Sequence, residues 1–198
     1  MTVVFAAIIG FLIGGIPTGI LISRAISGVD PRGVGSGSSG ATNVSRVIGK
    51  KWAIVVLLLD ALKGFLPVKL LAPLLAGHEG LILLEVVLAL STVAGHVWTP
   101  YARFRGGKGV ATSAGAILAL DAFALIVALA IWLILFLVFR RVSVASLSAA
   151  ITVPVAMTLM GGRPPLVVAA ASVLALLLLF THRDNIRRMM SGNEQRFA

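Results

Sequence analysis

The fold depends on residues 110–139, which read VATSAGAILALDAFALIVALAIWLILFLVF. As a single helix rising about 1.5 Å per residue, these 30 residues would be roughly 45 Å long. One bilayer crossing takes about 20 residues, so the stretch is too long for one helix and short for two. Asp121 is its only charged residue. We therefore predict a turn at Asp121 between a short membrane helix, 110–120, and a longer one, 122–139.

The composition of the whole chain assigns it to the membrane. Of its 198 residues, 59% are hydrophobic and 12% are charged, and the mean hydropathy of +1.05 is too high for a soluble domain. The apolar segments lack the two-residue alternation of a membrane β-strand, which leaves helices as the spanning elements. We expect an all-α, polytopic membrane helical bundle that forms a single domain, residues 1–198.

Five other apolar segments complete a predicted set of seven transmembrane helices. They cover residues 3–22, 52–75, 81–97, 144–160 and 166–181. Because no Lys or Arg precedes the first segment, we predict a retained helix rather than a signal peptide. Asp60 and Lys63 in the second segment are spaced i, i+3 and are predicted to pair inside the bundle.

The distribution of Lys and Arg predicts the orientation of the chain. Two crossings within residues 110–139 place most of the basic residues, including Arg140, Arg141 and the basic C-terminal tail, on one side. Basic loops stay in the cytoplasm, so this side is predicted to be cytoplasmic. The N-terminus is then outside and the C-terminus cytoplasmic, and three polar segments lie on the cytoplasmic face.

The first polar segment reads GVGSGSSGATNVSR, residues 33–46. Its glycines formally match G-x-G-x-x-G, but no strand precedes them, so a dinucleotide site is not indicated. We interpret the segment as an anion-binding loop, in which backbone N–H groups converge on the anion and side chains add donors. The residues concerned are Gly35, Ser36, Gly37, Gly40, Thr42, Asn43 and Arg46. The alternative is a flexible linker between two helices.

The second polar segment reads RFRGGKG, residues 103–109. Gly106, Gly107 and Lys108 lead into the helix predicted from residue 110, and a helix N-terminus attracts phosphate. The segment is not a Walker A motif, because no Ser or Thr follows Lys108. The alternative is a basic anchor that only fixes topology.

The third polar segment reads HRDNIRR, residues 182–188. If it continues as a helix, His182 and Asn185 share one face, and His is suited to proton transfer near neutral pH. The alternative for His182 is an interfacial or capping residue. For His96 we prefer an interfacial position, with a place in the site as the alternative, and we interpret His78 as structural.

Several chemistries are not indicated. The chain has no cysteine, which excludes disulfides and thiolate metal sites. Its acidic residues are scattered, so we expect no metal site and no cofactor. No His is followed five residues later by Asp, and no G-x-S-x-G elbow occurs. We expect no nucleic-acid partner, because the basic residues of a polytopic protein chiefly fix its orientation.

Together, GSGSSGATNVSR (35–46), GGKGVAT (106–112) and HRDNIRR (182–188) resemble the motifs of the bacterial acyl-phosphate:glycerol-3-phosphate acyltransferase family. The resemblance implies a seven-helix protein of the bacterial cytoplasmic membrane with its active site facing the cytoplasm. It also implies transfer of a fatty acyl group from acyl phosphate to the 1-hydroxyl of glycerol 3-phosphate. The products are lysophosphatidate and phosphate, in the first step of phospholipid synthesis. The family's first motif usually reads GSGNxGATN, and Ser38 replaces its first Asn here.

The resemblance also implies roles for individual residues. Loop 35–43 holds the acyl phosphate head, Arg46 and Lys108 neutralise the two phosphates, and His182 and Asn185 position glycerol 3-phosphate. The catalytic set is Ser36, Arg46, Lys108, His182 and Asn185, and the substrate-binding set is Gly35, Gly37, Ser38, Gly40, Thr42, Asn43, Gly106 and Gly107. The general base is either His182 or a phosphate oxygen of the substrate. Two other hypotheses remain, a small membrane transporter of phosphate or organic anions and a structural scaffold in the lipid membrane.

Overall fold

The computed structural model describes residues 1–77 and 80–197, and in this range the chain is helical. His78, which we interpreted as structural, lies outside the described residues. The α-helices are α1 (Thr2–Gly15), α2 (Thr18–Ser27), α3 (Ala41–Ile48), α4 (Lys50–Leu66), α5 (Ala72–Ala76), α6 (Leu81–Val97), α7 (Val110–Leu120), α8 (Ala122–Phe139), α9 (Val142–Met160), α10 (Pro165–Thr181) and α11 (Arg183–Met190). The chain divides into two compact units, Met1–Ala119 and Leu120 onward.

The predicted helix break at Asp121 is confirmed. α7 ends at Leu120, and the Asp121 carboxylate accepts the backbone N–H groups of Phe123 and Ala124, each at 3.1 Å, as the N-cap of α8. These N–H groups have no partner within the helix, so a side-chain acceptor stabilises its first turn. Arg163 forms an ion pair with the same carboxylate and lowers its pKa.

Two of the predicted spans are interrupted. The span predicted at 3–22 breaks at Ile16 and Pro17, between α1 and α2, because the residue before a proline is disfavoured in the helical region. The span predicted at 52–75 continues from α4 through a π-helical turn, Pro67–Leu71, into α5. Pro67 has no N–H to donate to the preceding turn, which accounts for the local change of helix type.

Within the described part of the chain, four helical segments are long and apolar enough to cross a membrane. They are Thr2–Ser27, Leu81–Ala102, Ala122–Phe139 and Val142–Met160. A fifth is added if α10 and α11, which meet at a bend of 58°, form one span, and α7 is a shorter apolar helix. The all-helical membrane class is therefore confirmed, while the count of seven crossings and the orientation of the termini stay predictions.

In the first unit, glycines allow helices α1 and α6 to pack backbone to backbone. A Cβ added to Gly14 would lie 1.9 Å from the carbonyl oxygen of Thr92, and one added to Gly95 would lie 2.0 Å from that of Phe11. Small residues at such crossings are typical of membrane helices, since lipid offers no hydrophobic driving force and close packing must supply the association energy.

The helix break at Ile16 is stabilised by the predicted buried ion pair. Nζ of Lys63 lies 2.8 Å from Oδ1 of Asp60, and both side chains are buried, which confirms the pairing. Lys63 also donates to the carbonyl oxygen of Ile16 at 2.8 Å, and the Thr18 hydroxyl donates to Asp60 at 2.5 Å. The pair thus satisfies a backbone carbonyl that the broken helix leaves without its usual partner.

In the second unit, α9 packs against both α8 and α10. The indole N–H of Trp132 on α8 donates to the hydroxyl of Ser146 on α9 at 3.1 Å. α10 ends at Thr181, and α11 begins at Arg183 after a bend of 58°. The third polar segment is therefore helical from Arg183, but it is not a straight continuation of α10.

Candidate active site

The first polar loop is organised around the side chain of Asn43, at the start of α3. Asn43 is 1% exposed, and its amide nitrogen donates to the carbonyl oxygens of Pro31, Val34 and Ser38 at 2.6, 3.0 and 2.9 Å. Its amide oxygen accepts the backbone N–H of Ser36 at 2.9 Å. We predicted Asn43 as a direct substrate donor, but the structure uses both ends of its amide to hold the loop.

Two other predicted residues of this loop offer their side chains outward. Ser36 and Arg46 are exposed, and within the described residues neither side chain has a hydrogen bond or an ion pair. A Cβ added to Gly35 would lie 3.8 Å from Cδ of Arg46, so the arginine runs alongside the glycine turn. Gly35 and Gly37 have φ of 63° and 70°, which other residues rarely adopt. The loop therefore presents a hydroxyl and a guanidinium on a fixed backbone.

Ser38 has a local role in the loop. Its hydroxyl accepts the backbone N–H of Gly40 at 3.2 Å, and Gly40 is the N-cap residue of α3. A short hydroxyl side chain commonly bonds to the backbone two residues on in this way. Half-buried Thr42 follows in the first turn of α3. The Ser that replaces the family's usual Asn thus stabilises the turn into the helix.

Arg32 joins the first loop to the second, a connection that sequence analysis missed. Its guanidinium donates to the carbonyl oxygens of Ala102 and Arg105 at 2.8 and 3.2 Å, and to Asp30 at 2.7 Å. The hydrogen bond from Arg32 lowers the pKa of Asp30 to about 2. Because this pKa is lowered, the ion pair persists above pH 4 and is lost only as the pH falls toward 2. The Asp-Pro-Arg sequence at 30–32 indicates a local turn, but nothing in the sequence indicates a contact 70 residues away.

Two of the three glycines in the second loop, Gly106 and Gly107, close the end of α6. The backbone N–H of Gly106 donates to the carbonyl oxygen of Val97 at 3.0 Å, and that of Gly107 donates to the carbonyl oxygen of His96 at 3.2 Å. These carbonyls belong to the last turn of α6, where they lack helical partners. We predicted that both glycines would contact substrate, whereas their N–H groups hold the loop against α6. Half-buried Lys108 follows at the start of α7.

His96 is buried, so our preferred interfacial position for it is wrong. Its side chain is 6% exposed, and Nδ1 lies 3.5 Å from the carboxylate of Asp60. On the other side of the ring, a Cβ added to Gly107 would lie 2.2 Å from Nε2. His96 therefore lies between the buried ion pair and the second loop, and the alternative that it takes part in the site stays a prediction.

Replacing Gly106 by alanine is expected to displace the second loop. The new Cβ would lie 1.9 Å from the carbonyl oxygen of His96 and 2.8 Å from that of Val97, and both are backbone atoms. We expect Gly106→Ala to lower the free energy of unfolding by about 1–3 kcal/mol or more, with a parallel loss of activity, measured by thermal unfolding and acyl transfer.

The matched control for this substitution is Gly33→Ala in the first loop. No atom lies within 4 Å of a Cβ at Gly33, and its φ is not positive. We expect this variant to keep the stability and activity of the unchanged protein. Equal behaviour of the two alanine variants would contradict the structural role of Gly106.

Two predicted site residues of the third polar segment, His182 and Asn185, belong to the second unit. His182 lies at the junction of α10 and α11, and Asn185 follows on α11, and both are buried. Nδ1 of His182 lies 2.8 Å from the carbonyl oxygen of Leu178. A carbonyl only accepts, so Nδ1 carries the hydrogen, and in the neutral ring Nε2 is the acceptor.

Comparison with known proteins gives one consistent result. The family model for glycerol-3-phosphate acyltransferase matches residues 4–192. Glycerol-3-phosphate acyltransferases of Geotalea daltonii and Ralstonia nicotianae are 42% and 44% identical to this chain, with 100% of the chain covered and 99% and 94% of those proteins. That of Aquifex aeolicus is 39% identical with full coverage of both.

Two solved structures of PlsY, an integral membrane glycerol 3-phosphate acyltransferase, also match. The glycerol 3-phosphate form has a TM-score of 0.90 at 38% identity, and the lysophosphatidic acid form has 0.87 at 37%. Each match covers 100% of this chain and 96% of the other. These results, obtained over the full length of the chain, show that it belongs to the glycerol-3-phosphate acyltransferase family.

Proposed function

We propose that this protein, acting as a single domain, transfers a fatty acyl group from acyl phosphate to the 1-hydroxyl of glycerol 3-phosphate. The hydroxyl oxygen forms a bond to the acyl carbon, and its proton passes to His182 or to a phosphate oxygen of the substrate. The bond from the acyl carbon to the phosphate oxygen breaks, and lysophosphatidate and inorganic phosphate leave. The observation that carries the proposal is the first loop, where the exposed donors of Ser36 and Arg46 stand on a backbone held by Asn43. An acyl phosphate is a mixed anhydride and is already activated, so the scheme assigns no role to a metal or cofactor.

An apolar groove in the first unit supports a lipid-tailed donor. It has a volume of about 580 Å³ and lies along α1, α2 and α4. Apolar side chains line it, among them Ile13, Leu21, Leu59, Leu62, Leu66 and Leu70. The start of α2 packs against the first polar loop, because a Cβ added to Gly19 would lie 1.9 Å from the carbonyl oxygen of Ser39. A fatty chain in this groove would therefore have its phosphate end near that loop. We propose that the groove holds the acyl chain.

Charged groups near the two loops of the first unit suit two phosphates. Arg46 can bond a phosphate bidentately, and Lys108 stands where the N-terminus of α7 adds a favourable dipole. We propose that they share the neutralisation of the acyl phosphate and of glycerol 3-phosphate. Ser36, Thr42 and the glycines 35, 37 and 40 contribute the remaining donors and the close approach of the backbone.

His182 and Asn185 are proposed to position glycerol 3-phosphate. We expect His182→Ala to raise the KM for glycerol 3-phosphate about tenfold to a hundredfold. This is the change in affinity expected when one hydrogen bond to a charged group is lost. A fall in kcat with little change in KM, together with loss of the acidic limb of the pH profile, would instead make His182 the general base. Steady-state kinetics from pH 5.5 to 9 separate the two, and the substrate phosphate remains the alternative base.

The decisive experiment follows acyl transfer by the purified protein in lipid nanodiscs. Palmitoyl phosphate with labelled glycerol 3-phosphate should yield labelled lysophosphatidate and one phosphate per product. Palmitoyl coenzyme A in place of palmitoyl phosphate should yield none. Product from palmitoyl coenzyme A but not from palmitoyl phosphate would overturn the choice of donor. Uptake of glycerol 3-phosphate into proteoliposomes without any product would favour a transporter.

We also propose that the chain crosses the bacterial cytoplasmic membrane seven times, with its N-terminus outside and the active site facing the cytoplasm. Helices over all seven predicted segments and the basic loops support this arrangement. The absence of cysteine in the chain makes the test direct. A cysteine replacing Gly33 should react with an impermeant thiol reagent only in inverted vesicles, and one replacing Gly161 only in intact cells. The reverse pattern would overturn the orientation.

A further inference from the structure

The C-terminal tail, residues 191–197, folds back onto the second unit. After α11 ends at Met190, the backbone N–H of Phe197 donates to the carbonyl oxygen of Arg140 at 2.7 Å. The Phe197 ring packs edge-on against Phe136, with 5.9 Å between ring centroids. The tail is therefore docked at Phe197, although most of its residues are exposed, and this contact helps to fix the position of Glu194.

Glu194 lies at the centre of this contact. Its side chain is 8% exposed, and Oε1 accepts from the amide nitrogen of Asn185 and the hydroxyl of Ser143, each at 2.7 Å. Oε2 accepts from Nε of Arg188 at 2.9 Å. Burial raises the pKa of Glu194, but these three donors lower it further, so its pKa lies below the ordinary value. The carboxylate is therefore charged and fully engaged at neutral pH.

The contact with Glu194 determines which end of the Asn185 amide faces the tail. An ionised carboxylate only accepts hydrogen bonds, so the amide nitrogen must be the atom that faces it. The amide oxygen of Asn185 is then turned away from Glu194. The terminal torsion of an asparagine is otherwise broad, and a charge-assisted hydrogen bond restricts it strongly.

We propose that Glu194 is a positioning residue for the glycerol 3-phosphate step, holding Asn185 so that its amide oxygen accepts from the glycerol substrate. The proposal rests on the function proposed for Asn185. Its physical basis is preorganisation, since a side chain locked before binding loses less freedom when the substrate arrives. The family model's match ends at residue 192, and Glu194 lies beyond it.

The first test compares Glu194→Ala with Gln195→Ala in the purified full-length protein. Gln195 is the exposed neighbour of Glu194 and serves as the matched control. We expect Glu194→Ala to lower kcat/KM for glycerol 3-phosphate about tenfold to a hundredfold, with the KM for palmitoyl phosphate and the activity of Gln195→Ala unchanged within about twofold.

The second test distinguishes positioning from a general loss of tail structure. Asn185→Asp alone places two carboxylates against each other and should be nearly inactive. Adding Glu194→Gln gives the pair one donor again, so the double variant should regain about tenfold or more over the single one. A tail that acted only through folding would gain nothing from this exchange.

The outcomes separate this proposal from the proposed function. If Asn185→Ala keeps full activity, the role proposed for Asn185 fails, and the role of Glu194 fails with it. If Asn185→Ala loses activity while Glu194→Ala does not, only the positioning role is overturned. A rise in activity of Glu194→Ala, or no gain in the double variant, also overturns it.

Discussion

Replacing Arg46 by alanine is expected to lower kcat for acyl transfer about a hundredfold to a thousandfold, the usual cost of removing a donor that stabilises developing charge. In the proposed reaction, negative charge shifts onto the leaving phosphate when the hydroxyl of glycerol 3-phosphate attacks. Arg46, which runs alongside Gly35, is proposed to bond two oxygens of that phosphate. The loss should therefore fall on the rate, since the charge is largest in the transition state.

The stability of the protein should not change in the Arg46 variant. The side chain is exposed, and in the residues that the structure describes it has no hydrogen bond or ion pair to lose. Thermal unfolding of Arg46→Ala should match that of the unchanged protein within about 0.5 kcal/mol. Arg46→Lys should recover part of the rate, because an ammonium keeps the charge but not the bidentate geometry.

Arg24→Ala is the control for the simple loss of a positive charge near this loop. Arg24 is exposed and pairs with Asp30 at 2.9 Å, and such surface pairs contribute little to stability. We expect its kinetic constants to stay within about twofold of the unchanged protein, as for a surface substitution. A wild-type kcat for Arg46→Ala, or an equal loss for Arg24→Ala, would contradict the assignment.

The helices were predictable from the sequence because the membrane leaves few alternatives. Backbone groups in lipid must bond within their own helix, so apolar length and charge alone indicate the segments. The break at Asp121 and the pair of Asp60 with Lys63 follow from the same cost, since an isolated charge in lipid has to be capped or paired. The break at Pro17 was not predicted. Whether a proline breaks a helix depends on tertiary contacts that can bond the freed carbonyls, and the sequence does not show those contacts.

The internal hydrogen bonds of the loops were less predictable. Motif spacing indicated that Asn43 and Gly106 belong to the polar loops, but not that their donors hold Pro31 and Val97. An amide nitrogen can serve a ligand or a backbone carbonyl equally well, and the choice depends on long-range geometry. The same holds for His96, whose burial beside Asp60 depends on the crossing of two separate helices.

Replacing Asn43 by aspartate is expected to lower both the stability and the activity of the protein. The substitution keeps the size of the side chain and its acceptor for the N–H of Ser36. However, it removes the donors to Pro31, Val34 and Ser38, leaving oxygen facing oxygen at 2.6, 3.0 and 2.9 Å. The carbonyl oxygens of Pro31 and Val34 keep the backbone N–H groups of Val34 and Gly37, at 3.3 and 3.2 Å, whereas that of Ser38 loses its donor. We expect a loss of about 1–3 kcal/mol, the cost of a polar group left without its partner, measured by thermal unfolding in detergent.

The activity of the same variant should fall about a hundredfold, because a shift of the loop by roughly 1 Å misplaces its reacting groups by enough for such a loss. The matched control is Ser45→Ala, two residues along the same helix. Its hydroxyl donates one hydrogen bond, to the carbonyl oxygen of Thr42 at 2.8 Å. That variant should lose about 1 kcal/mol or less and keep its activity.

Comparing the two loop variants separates substrate contact from loop support. Arg46→Ala should lose rate with its stability intact, whereas Asn43→Asp should lose both together. The difference follows from the partners of each side chain. Arg46 is exposed, whereas Asn43 forms hydrogen bonds with four backbone groups of the loop. If Asn43→Asp kept its stability but lost activity, its amide would be needed by the substrate rather than by the loop, as the sequence predicted.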